Sequence, residues 1–474
     1  MSHMCELGLI GLGVMGKNLV LNIASHGFSV AVYNRTAEKT REFMEHEAKG
    51  QKVFAGYTME EFVGLLNQPR AVLVLVNAGA PVDAVIEEIL PFLEAGDLMI
   101  DGGNSHYSDT NRRGKSLAEK GLFYMGMGIS GGEYGARHGP SMMPGGPKEA
   151  YERLRPILEA AAAKIDGEPC VTYLGSGSSG HYVKMVHNGI EYGIMELIAE
   201  TYDLMKRGLG LTNDELHSVY ERWNQVELSS YLMEITANIF QQPDERTGKR
   251  LVDMILDQAR QKGTGKWTSC DAMDLQIPIP TIDAAVIARD LSGHKAEREA
   301  ASRILYRPGS AFTGGDKTFI DQIRDALHVS MIITYGQGMS LLQGASRAYG
   351  YNLNLEAVAR IWRGGCIIRA ALLNDIRKAY QSRPDLGSLL LDPHLSREVM
   401  GREANLRRVV TTAIEMGLPA PALMATLAYF DGYRSAWLPA NLTQAQRDYF
   451  GAHTYERVDQ KGVFHTEWGS SVGG

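Results

Sequence analysis

Between residues 4 and 178, short apolar runs alternate with amphipathic segments, and that alternation leaves few folds open. LGLIG (7–11), SVAVYN (29–34), AVLVLV (71–76) and LMIDGG (98–103) have the length and apolar content of buried strands. Helical patterns lie between them, among them VMGKNLVLNIASHG (14–27) and VDAVIEEILPFLEAG (82–96). Strands separated by helices make βαβ units, so a parallel, doubly wound sheet is expected.

Gly11-Leu12-Gly13-Val14-Met15-Gly16 ends the first strand and opens the first helix. Glycines there permit a tight turn, close backbone approach to a pyrophosphate and close helix–strand packing. The helix N-terminus adds unpaired N–H groups and a positive dipole end. The plainer alternative is a tight turn with no ligand; the strand–turn–helix context favours a dinucleotide in a Rossmann-like domain. The second strand runs into Asn34-Arg35-Thr36 with no acid until Glu38. An Asp or Glu would hold the free 2′-hydroxyl of NAD, whereas a guanidinium pairs with a 2′-phosphate. A solvated arginine is the alternative, but the run favours NADP.

GSGSSG (175–180) punctuates the end of this region. From 181 to about 435 the pattern is mainly helical, with the longest amphipathic stretch at 317–350. Beyond it the chain turns polar, aromatic and glycine-containing. Tyr449, Phe450, Tyr455, Phe464 and Trp468 are too many large rings for a solvated tail, so this segment is expected to pack on its own chain or a partner. The expected organisation is an α/β Rossmann-like domain (1–178), an all-helical substrate and dimerisation domain (179–435) and a C-terminal tail (436–474). The 474 residues, 44% hydrophobic and 22% charged, suit several ordinary cores. A net charge of −7 argues against general nucleic-acid binding. Cys5, Cys170, Cys270 and Cys366 form no CxxC pair, which fits a reducing compartment and argues against a zinc site. LGLIGLGVMG is too short and glycine-rich for a signal peptide or a membrane span, so a cytoplasmic protein is expected.

Within HYVKMVHNGIEYGIMELIAE (181–200), Lys184, His187, Asn188, Glu191 and Tyr192 share one helical face. Lys184 and Glu191 lie two turns apart, about 10 Å at 1.5 Å rise per residue. Both are long enough to reach opposite ends of a three-carbon fragment. A Lys and a Glu on one face usually mark solvated surface. Met185, Val186, Ile190 and Met195 on the other sides argue for burial, and a polar stripe in an apolar helix points to a cleft. DGGNS (101–105) follows a strand at the carboxyl edge of the sheet, and GISGGEYGARHGPSMMPGG (128–146) reads as a glycine-rich loop that lets backbone N–H groups approach an anion.

GLGVMG, NRT, DGGN, SGGEYGA, HYVKMVHNGIEY, KGTGKWTS, CIIRA, LPANLTQAQRDYFGAHTYER and GVFHTEW together resemble the 6-phosphogluconate dehydrogenase family over essentially the whole chain. The resemblance implies NADP-dependent oxidative decarboxylation of 6-phosphogluconate to ribulose 5-phosphate, a step of the pentose phosphate pathway. It implies Lys184 as general base and Glu191 as general acid. Asn104, Ser130, Gly131, Gly132, His187 and Asn188 would hold the carboxylate and hydroxyls, and Tyr192, Lys262 and Arg289 the phosphate. Arg447 and His453 would come from the partner's tail in a homodimer with shared sites. Gly11 to Gly16, Asn34, Arg35, Thr36, Val76, Asn77, Ala78 and Asn104 would meet the cofactor.

Two positions depart from the family's usual pattern: Gly13, where Ala is common, and Asn77, where Lys is common. Two other readings stay open. A simpler 3-hydroxyacid dehydrogenase shares the glycine motif and the lysine but has no need of Arg289, Arg447, His453 or the long helical region. A non-catalytic cofactor-binding protein would be expected to have lost Lys184 or Glu191, and both are present.

Overall fold

In this computed structural model, which describes residues 4–306, 312 and 314–469, the chain opens with β1 (Leu7–Ile10), α1 (Val14–Ser25), β2 (Val30–Tyr33), α2 (Ala37–His46) and β3 (Val53–Ala55). It continues through α3 (Met59–Gly64), β4 (Ala71–Val74), α4 (Ala80–Ile89), β5 (Leu98–Asp101) and α5 (Tyr107–Ala118). Then come β6 (Phe123–Ser130), α6 (Gly132–His138), β7 (Ser141–Gly145) and α7 (Lys148–Ala161). The strands form one seven-stranded sheet in the order β3-β2-β1-β4-β5-β6-β7. Strand order reverses between β1 and β4, and such a switch point opens a crevice at the carboxyl ends of the strands. Every residue of β1, β2, β4 and β5 is buried, because helices cover both faces.

The sheet is parallel from β3 across to β6, but β7 runs antiparallel to β6, pairing Gly126 with Gly145 and Ser130 with Ser141. Residues 128–146 are not the glycine-rich loop that their composition predicts. Instead they hold the end of β6, the short helix α6 and β7. Glycines disguise β6 as loop because they serve packing: a Cβ on Gly126 would lie 2.7 Å from His181 Nδ1, and one on Gly128 would lie 2.3 Å from Lys184 Cβ. Without side chains at those positions, the next helix lies directly on the strand.

That helix is α8 (Ser179–Asp203), buried along most of its length. Met185, Val186 and Ile190 are buried as expected, whereas Met195 is 41% exposed. α8 packs against the long helix Asp316–Tyr349, where a Cβ on Gly338 would come within 2.4 Å of Ile190 Cδ1. Gly350, in the left-handed region at φ +68°, caps that long helix. Thr264–Asp274, Pro280–Ser292 and Pro393–Met416 are further helices of this region. Among the described residues, no helix is long and apolar enough to cross a membrane.

The chain divides into two compact units, the first ending at Thr426 and the second starting at Leu427. In the second, the helix Ala440–Gly451 precedes a hairpin that pairs Tyr455–Glu456 with Val463–Phe464. Asp448, with no exposed surface, organises it. Its carboxylate accepts from Thr454 N (2.9 Å), Thr466 N (3.0 Å) and Trp468 Nε1 (2.8 Å), and meets His465 Nδ1 at 2.9 Å. Tyr449 lies 5.8 Å from Trp468 between ring centroids, and Tyr455 lies 6.3 Å from Phe464. Phe450 remains 73% exposed.

Candidate active site

A cleft of about 1190 Å³ opens in the first unit at the switch point. One end is the glycine turn. Gly11 adopts φ +108°, and a Cβ there would lie 2.3 Å from Leu75 O; a Cβ on Gly16 would lie 1.9 Å from Gly11 O. These two glycines are therefore fixed by sterics. Gly13 has open space within 4 Å of its Cβ position, so the alanine common in the family would fit. Gly11, Gly13, Val14, Met15 and Gly16 line this end together with Asn34, Val76, Asn77 and Ala78. Leu12 is buried instead, and its N–H donates to Asn34 Oδ1 at 3.1 Å, which ties the turn to the end of β2. Arg35 and Thr36 follow Asn34 and are exposed.

The other end is built on α8. Lys184, Asn188, Glu191 and Tyr192 line it, with Asn104, Ser130, Gly131 and Gly132 across from them. The polar stripe is thus not a solvated face. Lys184 is 6% exposed, and its Nζ donates to Asn188 Oδ1 at 2.8 Å. His187 lies behind, fully buried, with Nδ1 3.4 Å from Lys184 Nζ and 3.8 Å from Glu191 Oε2. Its Nε2 meets Ser130 Oγ at 3.3 Å, and its ring sits edge-on to Trp362 at 5.6 Å. Gly131 needs its φ of +115°, and a Cβ there would strike Gly365 O at 2.5 Å.

Burial tunes these groups in opposite senses. Desolvation holds the Lys184 ammonium below its usual range, while the nearby Glu191 carboxylate pulls the other way. Desolvation also pushes the Glu191 carboxyl up, against the pull of Lys184 and Arg289. Burial and then the Lys184 charge keep His187 far below the ordinary histidine range, so it is neutral. The pair can therefore hold an amine that accepts a proton and a carboxyl that gives one.

Tyr192 carries the Arg289 guanidinium over its ring, 3.5 Å from the centroid, and Arg289 and Lys262 also line the cleft. Arg447 and His453 belong to the second unit. There Arg447 Nη1 donates to Gln444 Oε1 at 3.0 Å, and the His453 ring stands edge-on to Phe450 at 5.8 Å.

The residues 180–468 match the model of the 6-phosphogluconate dehydrogenase C-terminal domain, and 6–175 match that of the NAD binding domain of 6-phosphogluconate dehydrogenase. The chain belongs to the 6-phosphogluconate dehydrogenase family. It is 57% identical to the decarboxylating 6-phosphogluconate dehydrogenase of Synechococcus elongatus over 98% of this chain and 99% of the relative. It is 55% identical to the NADP(+)-dependent, decarboxylating enzyme of Bacillus subtilis over 98% and 99%. The Plasmodium falciparum 6-phosphogluconate dehydrogenase, solved with NADP+ and with 6-phosphogluconate, superposes with a TM-score of 0.95 at 48% identity, covering 98% of this chain and 100% of that one.

Several residues that line this cleft were not expected from the sequence: His106, Arg260, Thr264, Trp267 and Ile367. Thr264 and Trp267 fall inside KGTGKWTS, and Ile367 falls inside CIIRA, so the motifs carried the signal although single residues were not drawn from them. His106 follows the DGGN loop by two positions and stands edge-on to Trp267 at 5.0 Å.

Proposed function

We propose that Lys184 and Glu191 handle the two protons in the family's NADP-dependent oxidative decarboxylation of 6-phosphogluconate to ribulose 5-phosphate and CO₂. The observation that supports this most is their shared face of α8, with Lys184 buried and Glu191 half-buried, within the cleft that begins at the glycine turn. The cofactor fits that cleft: Gly13 leaves its surface open, Gly11 and Gly16 bring the backbone close, and the N-terminus of α1 faces the opening. NADP, when bound, supplies the hydride acceptor.

Lys184, held below its ordinary range, takes the proton of the substrate 3-hydroxyl as C3 gives up its hydride. Asn188, bonded to Nζ, orients that amine. The resulting 3-keto acid breaks its C1–C2 bond, releases CO₂ and leaves an enediol. Glu191, held above its ordinary range, delivers a proton to the substrate's former C2, which becomes C1 of ribulose 5-phosphate. Ser130, Gly131, Gly132, His187 and Asn104 bind the carboxylate and hydroxyls, and Lys262, Arg289 and Tyr192 receive the phosphate. Arg35, with Asn34 and Thr36, pairs with the 2′-phosphate of the cofactor.

The working organisation is a cofactor domain (1–178), a helical substrate domain (179–435) and a tail (436–474). In a cytoplasmic homodimer, the tail of one copy brings Arg447 and His453 to the phosphate in the other. The aromatic groups left exposed on that tail, Tyr449 and Phe450 among them, support a partner surface. Measuring NADPH and ¹⁴CO₂ together from carboxyl-labelled 6-phosphogluconate tests the reaction. Equal release of both is expected. NADPH without CO₂ would reduce it to a simple hydroxyacid dehydrogenase, and neither product would leave a binding protein.

A further inference from the structure

Arg113, on α5, has a side chain only 1% exposed, yet it makes five hydrogen bonds. Toward one side, Nε donates to Asp83 Oδ1 (2.8 Å), and Nη2 donates to Asp83 Oδ2 (3.0 Å) and Gly79 O (3.0 Å). Toward the other, Nη1 donates to Ser105 Oγ (3.2 Å) and Asp101 Oδ2 (3.4 Å). Both sides border the cleft. Gly79 ends the Val76–Asn77–Ala78 wall, and Asp101 and Ser105 bracket the Gly102–Asn104 wall.

Asp101 extends the brace. Its Oδ1 accepts from Gly103 N (3.1 Å), and its Oδ2 accepts from Ser105 Oγ (2.6 Å) and Tyr124 OH (3.0 Å). Its carbonyl meets His181 Nε2 at 3.0 Å, three residues ahead of Lys184 on α8. One guanidinium therefore joins two cleft walls, and the backbone carbonyl of its partner Asp101 meets the helix that carries the amine.

Stability alone does not account for such a group. Buried ion pairs are often replaced by apolar side chains of similar volume without loss. What an apolar side chain cannot do is fix the spacing of two loops through a planar fork with set donor directions. We propose that Arg113 is a positioning residue for the reaction: it holds the 76–79 and 102–104 loops at the spacing that seats the nicotinamide half of the cofactor over the substrate. This rests on the assignment of Val76, Asn77, Ala78 and Asn104 as cofactor contacts. The adenine half, at Arg35 and the glycine turn, does not depend on the brace. Asn77 lacks the charge common in the family at that position, so backbone placement matters more on this wall.

Arg113→Lys keeps a cation but loses the fork. In the full-length enzyme it should lower kcat and raise KM for NADP, with kcat/KM falling about 10-fold or more, toward the 10²-fold that an ångström of misplacement costs. Its affinity for 2′,5′-ADP, which lacks the nicotinamide, should stay at the wild-type value. A folded variant with unchanged kcat and NADP KM overturns the proposal, as does one whose 2′,5′-ADP affinity falls in parallel with NADP. If Arg113→Lys does not fold, Asp83→Asn, at the more exposed end of the brace, should show the same split in smaller measure, and its absence there overturns the proposal equally. Asn104→Ala separates the two levels: if it leaves kinetics unchanged, the loop assignment fails; if it is impaired while the Arg113 variant is not, only the brace fails.

Discussion

Gly128 offers the sharpest structural perturbation of the proposed base. It lies in β6 directly beneath Lys184, and a methyl added there would sit 2.3 Å from Lys184 Cβ and 2.8 Å from Cγ. Ordinary carbon contacts need about 3.5 Å or more, so strand and helix must part by roughly 1 Å. Overpacking of this kind costs about 1–3 kcal/mol of stability. A shift of about 1 Å in a reacting group costs on the order of 10²-fold in rate. Gly128→Ala should therefore remain folded with a lowered melting temperature, bind 2′,5′-ADP normally and lose about 10²-fold in kcat for NADPH formation. Gly64→Ala, at the end of α3 and outside the cleft, is the control: its Cβ meets no atom within 4 Å, and the change should lower neither Tm nor kcat. A Gly128→Ala enzyme with wild-type kcat and Tm would refute the argument that this glycine exists to let α8 lie on the strand.

Three other outcomes are expected. Arg35→Asp should shift preference from NADP toward NAD, by removing the fork proposed to pair with the 2′-phosphate and adding a repelling charge; the ratio of kcat/KM values checks it. Burial raises the Glu200 carboxyl to about 8, although Ala422 N and Leu423 N donate to it. The folded state then holds that proton at pH values where the unfolded chain has released it. Stability should fall as pH rises from about 4.5 to about 8, and Glu200→Gln should flatten that slope in chemical denaturation. Removing residues 440–474 should abolish activity, whereas an active truncated monomer would contradict the proposed shared-site dimer.

The sheet was legible because β1, β2, β4 and β5 are apolar on both faces, and a continuous apolar run needs no partner to be recognised. β3 is three residues long and follows a polar turn, so it carries no such run. β6 and β7 were hidden by Gly126, Gly128 and Gly145, whose absent side chains answer to a helix far along the chain. The stripe on α8 was legible as spacing, but burial on every side depends on β6, Trp362 and the Asp316–Tyr349 helix. Arg113 was not legible at all, since one of two adjacent arginines on a polar helix looks solvated until Asp83 and Asp101 are seen on either side of it.

The most direct test of the proton-transfer account is the rate of NADPH formation by Lys184→Met, with NADP binding followed by quenching of the protein's tryptophan fluorescence in the same preparation. General-base catalysis contributes about 10²–10⁴-fold. The variant should lose at least that much in rate while binding NADP as the wild type does. A rate near that of the wild type would remove Lys184 from the chemistry and leave the buried amine unexplained.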